Sequence, residues 1–142
     1  MITAERYHDI SCGHRVAGHE SKCRYLHGHN YRIHFVIASA TELDSIGRVM
    51  DFSVIKSKLC MWLEDNWDHK TLIWEYDELL SDLKKVAEDS IVVTPFNPTA
   101  ENMAKYLVEE VAIDQLGGTG CVLIECRVEE TRKCLATYKI KL

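Results

Sequence analysis

Apolar and polar residues alternate with a period of two near both ends of this chain, and with a period near 3.6 in its middle. Residues 2–11 alternate as a strand. Residues 29–40 do so more plainly, with Tyr31, Ile33, Phe35 and Ile37 on the parity of His27 and His29. Residues 43–48 read as a turn, after which Val49 and Met50 are expected to re-enter the sheet briefly. Ser53 predicts the cap of a helix running to about residue 66, with Ile55, Leu59, Trp62 and Leu63 on one stripe. Leu79, Leu80, Leu83 and Val86 predict a shorter helix over residues 77–88. Ile91, Val92 and Val93 form an extended piece closed by Pro95 and Pro98. Asn97 before Pro98 predicts an N-cap for a helix to about residue 113, with Met103, Leu107 and Val111 on one face. Residues 121–130 and 134–141 then form a hairpin around Thr131, Arg132 and Lys133. The expected order is β-β-α-(α)-α-β-β, an α+β fold with a four-stranded sheet and one domain over residues 1–142.

Composition narrows the class. At 142 residues, 46% hydrophobic and 27% charged, the chain is long enough for a core without staples. No apolar run nears the roughly 20 residues that span a bilayer, and no signal-peptide pattern opens the sequence, so a cytoplasmic protein is expected. The six cysteines lack the spacing of a secreted disulfide framework and read as reduced thiols. A net charge of −5 argues against a nucleic-acid surface. An anionic ligand would need a local basic patch, which Arg15, Lys22 and Arg24, with His19, supply.

That patch borders the chemistry. Residues 14–31 hold four of the seven histidines and Cys23. His27 and His29 are two apart, so an extended strand points both to one face, and His14 can arrive from a neighbouring strand. Three imidazoles around a tetrahedral ion leave one position open, as a catalytic zinc site requires. Cys23, between Lys22 and Arg24, reads as a reactive nucleophile or base, since flanking positive charge favours the thiolate. Cys12 and Cys23 could instead be ligands of a closed Cys/His structural site. His8 and His34 read as solvated side chains. Asp68 and His69 close the first helix, either as a solvated C-terminus or as a carboxylate orienting an acid/base imidazole. Glu130 continues the parity of Val122, Ile124, Cys126 and Val128. A carboxylate at the end of a core-facing row is either near a rim or recognising a ligand, where it can accept from a planar N–H pair such as an amidine or a pterin ring offers. Glu129, on the other parity, reads as a solvated partner of Arg127 or Lys133. For Glu101 the helix dipole is explanation enough.

Taken in order, these residues resemble a family. His14-Arg15, Cys23-x-x-x-His27-Gly28-His29-Asn30-Tyr31, Val49-Met50-Asp51-Phe52, Asp68-His69, Pro98-Thr99-Ala100-Glu101-Asn102 and Glu129-Glu130-Thr131 are similar to the landmarks of the pterin synthases, which include the 6-pyruvoyl- and 6-carboxytetrahydropterin synthases. The resemblance implies the tunnelling fold (T-fold), an antiparallel four-stranded sheet with helices on one face that closes into an oligomeric barrel. It implies a homohexamer of two stacked trimers with active sites at subunit contacts. Zinc on His14, His27 and His29 is implied, with Cys23, Asp68 and His69 catalytic, Glu130 and Glu101 substrate-binding, and 7,8-dihydroneopterin triphosphate as substrate. Arg15, Lys22 and Arg24 are assigned to the triphosphate by charge alone. Three residues between Cys23 and His27 are similar to the carboxy-producing branch of queuosine biosynthesis, a lyase activity that releases acetaldehyde. The pyruvoyl-producing branch, or a non-catalytic zinc-binding T-fold protein, are the alternatives. The sequence departs from the family where Leu72-Ile73 lacks an asparagine and where residues 74–96 run long.

Overall fold

Two long antiparallel strands, β1 (Thr3–His14) and β2 (His27–Ser39), carry the alternation into the computed structural model, which describes residues 1–141. Their register sets Cys12 opposite His29 and His14 opposite His27. Four further strands follow: β3 (Thr71–Trp74), β4 (Ile91–Thr94), β5 (Cys121–Glu129) and β6 (Leu135–Lys139). The sheet order is β4-β3-β1-β2-β5-β6. It is therefore six-stranded, not four-stranded, and not wholly antiparallel. β3 pairs parallel to both β1 and β4, touching β1 only at Gly13 and His14. Leu72 and Ile73 are both fully buried, and a strand buried on both faces shows no alternation to read. Glycine is required at 13 by this approach, because a Cβ there would stand 2.9 Å from Thr71 Oγ1.

The expected parity of β5 is corrected by a bulge. Val36 pairs with Glu125 but Ile37 with Leu123, so Ile124 is an extra residue. Leu123 joins Cys126 and Val128 in the main core, while Ile124 and Val122 pack with Val36 and Ala38 in a separate cluster. The row leading to Glu130 thus begins at Cys126.

Three helices accompany the sheet: α1 over residues 52–66, α2 (Leu80–Ala87) and α3 over residues 100–115. Asp51, rather than Ser53, caps α1, its carboxylate accepting from the Ser53 N–H at 2.8 Å. Val49 and Met50 pack against the core without joining the sheet. Thr99, rather than Asn97, caps α3 through Asn102 N at 3.1 Å. This leaves Pro98 outside the helix with its carbonyl free to act elsewhere. α1 brings Ile55, Leu59 and Leu63, and α3 brings Met103, Leu107 and Val111, onto Tyr31, Ile33, Phe35 and Ile37. Truncating a side chain as buried as Leu59 to alanine costs about 2–5 kcal/mol. α2 has no buried residue, and among the described residues no helix is long and apolar enough to cross a membrane.

The sheet face away from the helices carries the Val36, Ala38 and Ile124 cluster at one end and is polar elsewhere. Arg32 grips both oxygens of Asp9 at 2.9 and 3.1 Å, and Arg127 joins Glu5 and Glu125. Two edges of the four long strands stay open. Among the described residues β6 pairs only with β5. On β1 the Ser11 backbone faces residues 68–69, so the same-parity amides of Glu5, Tyr7 and Asp9 have no described strand beside them.

Candidate metal centre

The β1–β2 register brings three imidazoles to one point. The ring centroids of His14 and His27 are 4.6 Å apart, those of His27 and His29 4.8 Å, and those of His14 and His29 5.2 Å. One ligand atom from each, with a Glu130 carboxylate oxygen, falls within 4.8 Å of all the others. No cysteine joins this group, so the closed Cys/His alternative has no geometric support. Cys12 is buried beneath, and burial, with the Asp68 charge adding, pushes its thiol up to about 12.

Hydrogen bonding fixes two of the rings. His14 Nδ1 lies 2.6 Å from the Pro98 carbonyl and His27 Nδ1 lies 2.7 Å from the Tyr25 carbonyl. A carbonyl only accepts, so each Nδ1 carries a proton, and the tautomer this selects for a metal-binding ring turns the Nε2 lone pair inward. Those two Nε2 atoms stand 3.1 Å apart. His29 Nε2 is 2.8 Å from Glu130 Oε1 but off the hydrogen-bond direction, leaving this buried nitrogen without an aligned partner. Burial lowers the His29 pKa and favours the neutral, ligating ring. Converging imidazole lone pairs, two of them on rings held from behind by a backbone carbonyl, fit a divalent cation such as zinc.

Cys23 sits on a short 3₁₀ turn, Lys22–Arg24, in the β1–β2 connection, and is half-buried. Its carbonyl accepts from Val16 N at 2.9 Å. Tyr31 lies fully buried beside the rings of His14 and His29, at 5.9 and 5.4 Å, and its hydroxyl has no partner among the described residues. Its signals in the sequence are the strand parity shared with His27 and His29 and its place two residues after His29.

Asp68 and His69 are not gathered with these residues. Asp68 accepts from the Ser11 N–H at 2.9 Å and from His69 Nδ1 at 2.9 Å. Neighbours in sequence meet here because His69 adopts φ +60°, a left-handed turn that folds its ring back. The His69 ring is 79% exposed, so it is presented outward rather than to its own chain. It borders a cavity of about 890 Å³ on the polar sheet face, beside Ser11, Asn30, Arg32 and Glu129.

The basic residues divide. Lys22 is exposed. Arg24 bonds the carbonyls of Glu20 and Ser21 and the Tyr25 hydroxyl. Arg15 is engaged with Asp77 and Glu78, and no sequence pattern had marked Asp77. Glu101 is exposed in the first turn of α3, immediately after the segment whose Pro98 carbonyl orients His14. Glu129 faces the other way, 3.4 Å from His34 Nε2, and His8 pairs with Glu64 at 2.7 Å, so neither histidine is simply solvated.

Comparison with known proteins gives a consistent picture. The sequence model of the 6-pyruvoyl tetrahydropterin synthase family matches residues 3–141. A 6-carboxy-5,6,7,8-tetrahydropterin synthase of Rickettsia felis is 33% identical over 135 residues, covering 94% of this chain and 97% of that one. Among solved structures, a 6-pyruvoyl tetrahydropterin synthase of Caenorhabditis elegans superposes with a TM-score of 0.68 at 27% identity, covering 99% of this chain and 96% of that one. An uncharacterised protein of Wolinella succinogenes superposes with a TM-score of 0.84 at 23% identity, over 99% and 98% of the two chains, and shares the fold.

Proposed function

The chain belongs to the 6-pyruvoyl tetrahydropterin synthase family, and within it we propose that this protein converts 7,8-dihydroneopterin triphosphate to 6-carboxy-5,6,7,8-tetrahydropterin. One water is consumed, and triphosphate and acetaldehyde leave. This is a carbon–oxygen and carbon–carbon lyase reaction, assigned to queuosine biosynthesis in the cytoplasm. The observation that carries the reading is the convergence of His14, His27 and His29 beside a carboxylate, the one such group among the described residues, with the Cys23 turn linking the two strands that hold them. The curated relative's activity favours the carboxy branch over the pyruvoyl one.

A zinc ion held by His14, His27 and His29 supplies Lewis-acid polarisation of the substrate's side-chain oxygens when bound. Cys23, as thiolate, takes a proton from the side chain. Asp68 holds the His69 ring through Nδ1, leaving Nε2 to pass protons. Glu130 accepts from the paired N–H groups of the pterin. Because His69 is exposed on the polar face, the dyad serves the Cys23 site of a neighbouring subunit. The open edges of β1 and β6 suit a head-to-tail ring, since the next β1 continues the alternation β1 up, β2 down, β5 up, β6 down. A homohexamer of two such trimers completes the proposal.

Incubation of the zinc-loaded protein with 7,8-dihydroneopterin triphosphate, followed by mass spectrometry, tests it. Equimolar acetaldehyde and 6-carboxytetrahydropterin are expected. Accumulation of the pyruvoyl product alone assigns the other branch, and no turnover leaves a non-catalytic zinc protein.

A further inference from the structure

We propose that Arg15 and Asp77 form a buried tie that positions the Cys23 turn, so that Arg15 is a positioning residue and not an anchor for phosphate. The inference rests on the reading of Cys23 as the catalytic base. Arg15 follows His14 directly, and its Nε donates to both oxygens of Asp77, at 2.9 and 3.2 Å. Its Nη1 donates to the carbonyl of Arg24 at 2.7 Å, the residue after Cys23. Nη2 reaches Glu78 Oε1 at 3.4 Å. One cation therefore faces two carboxylates, and no net positive charge remains for a triphosphate.

The tie is placed where geometry matters. The Asp77 side chain is fully buried, and its Oδ1 also accepts from Leu79 N at 2.9 Å, which fixes the carboxylate. Asp77 N bonds Trp74 O at 2.9 Å, the last residue of β3, and β3 pairs with His14. The metal centre and the Cys23 turn are thus referenced to one strand. The turn is held at two successive carbonyls, that of Cys23 by Val16 N and that of Arg24 by Arg15. A guanidinium can bridge in this way because its donors form a rigid fork. An ammonium, a point charge on a flexible stem, cannot pair with Asp77 and reach Arg24 in the same geometry.

Arg15→Lys in the zinc-loaded protein is the test, with 7,8-dihydroneopterin triphosphate as substrate. Loss of alignment lowers kcat by about 10- to 100-fold while KM stays within about threefold. Zinc content is unchanged, and the Val16 amide exchanges its hydrogen at least about tenfold faster as the turn loosens. A KM raised with kcat retained identifies an anion anchor and overturns the proposal, as does unchanged exchange at Val16. If the single variant folds poorly, Arg15→Met with Asp77→Leu removes both charges together and is expected to give the same kcat loss. Cys23→Ala separates the two ideas. Turnover lost in Cys23→Ala but intact in Arg15→Lys overturns the tie alone, whereas turnover retained in Cys23→Ala overturns the role of Cys23.

Discussion

The Nε2 atoms of His14 and His27 stand 3.1 Å apart, each on a ring whose Nδ1 proton is committed to a backbone carbonyl. Two lone pairs at that distance repel unless a proton or a cation lies between them. The expected outcome is one zinc per chain, with thermal stability rising by several degrees on loading because the ion binds only the folded state. His29→Ala should lose stoichiometric zinc by metal analysis. Full zinc content in that variant would place the metal elsewhere.

His69 combines a strained backbone with an exposed imidazole. A non-glycine residue at φ +60° costs of order 1 kcal/mol or more, and the 2.7 Å bond from His69 N to Ser11 O is part of what holds it. His69→Gly should therefore keep or slightly raise the melting temperature while abolishing turnover. A melting temperature that falls by many degrees would mean that the ring, not the turn, is structural.

Much of this arrangement was legible in the chain, and the exceptions have physical causes. The long strands announced themselves through alternation, and the shared parity of His27, His29 and Tyr31 follows from it. β3 stayed hidden because both Leu72 and Ile73 are buried. The bulge at Ile124 is invisible to a parity count, and Glu130 nonetheless lies beside His14 and His29 because the alternation from Cys126 onward is unbroken. Asp77 could not be found at all. It lies in a turn, and its pairing with Arg15 spans 62 residues that no local pattern connects.

Assembly should depend on the free edge of β1. Light scattering is expected to give a mass about six times that of one chain. Tyr7→Pro removes an outward N–H from that edge without touching the ladder to β2, so it should yield smaller species that have lost turnover. A Tyr7→Pro protein that remains hexameric would remove β1 from the subunit contact.

Acid should destabilise the protein in a narrow window. Hydrogen bonding from Arg32 lowers the Asp9 pKa, the backbone N–H of Arg48 that of Asp44, and the N–H of Ser53 that of Asp51. For Asp68, burial opposes ionisation but the Ser11 N–H and the His69 ring prevail, again lowering the pKa. Each folded value lies below the unfolded 3.8, so the unfolded chain binds more protons in between. The stability these groups contribute is present in full above the unfolded value and is lost as pH falls through the folded ones. The share of melting temperature that these four carboxylates set should be nearly flat from about pH 5 to 7 and fall below about pH 4. The lowered His29 pKa adds an earlier decline in the metal-free protein as pH drops below the ordinary imidazole value of 6.5. Asp9→Asn should flatten part of that decline.

Glu130 and Glu129 are adjacent, yet they sit on opposite faces and should respond differently to the same change. Glu130 Oε1 lies 2.8 Å from His29 Nε2 and 3.1 Å from His14 Nε2, whereas Glu129 reaches His34 on the polar face. Glu130→Gln replaces a group that accepts with both oxygens by one that accepts with a single atom and presents an NH2 to the other pterin N–H. Charge-assisted hydrogen bonds contribute on the order of 1.5–3 kcal/mol each, so pterin affinity should fall at least about tenfold. Zinc content decides between the two roles the geometry offers this carboxylate. If Glu130 serves the pterin, the glutamine variant binds zinc as tightly as the parent and loses only the ligand. Zinc lost together with pterin would make Glu130 a fourth ligand of the metal. Glu129→Gln should leave both measurements close to the parent, and a large effect there would move the recognition role to the polar face.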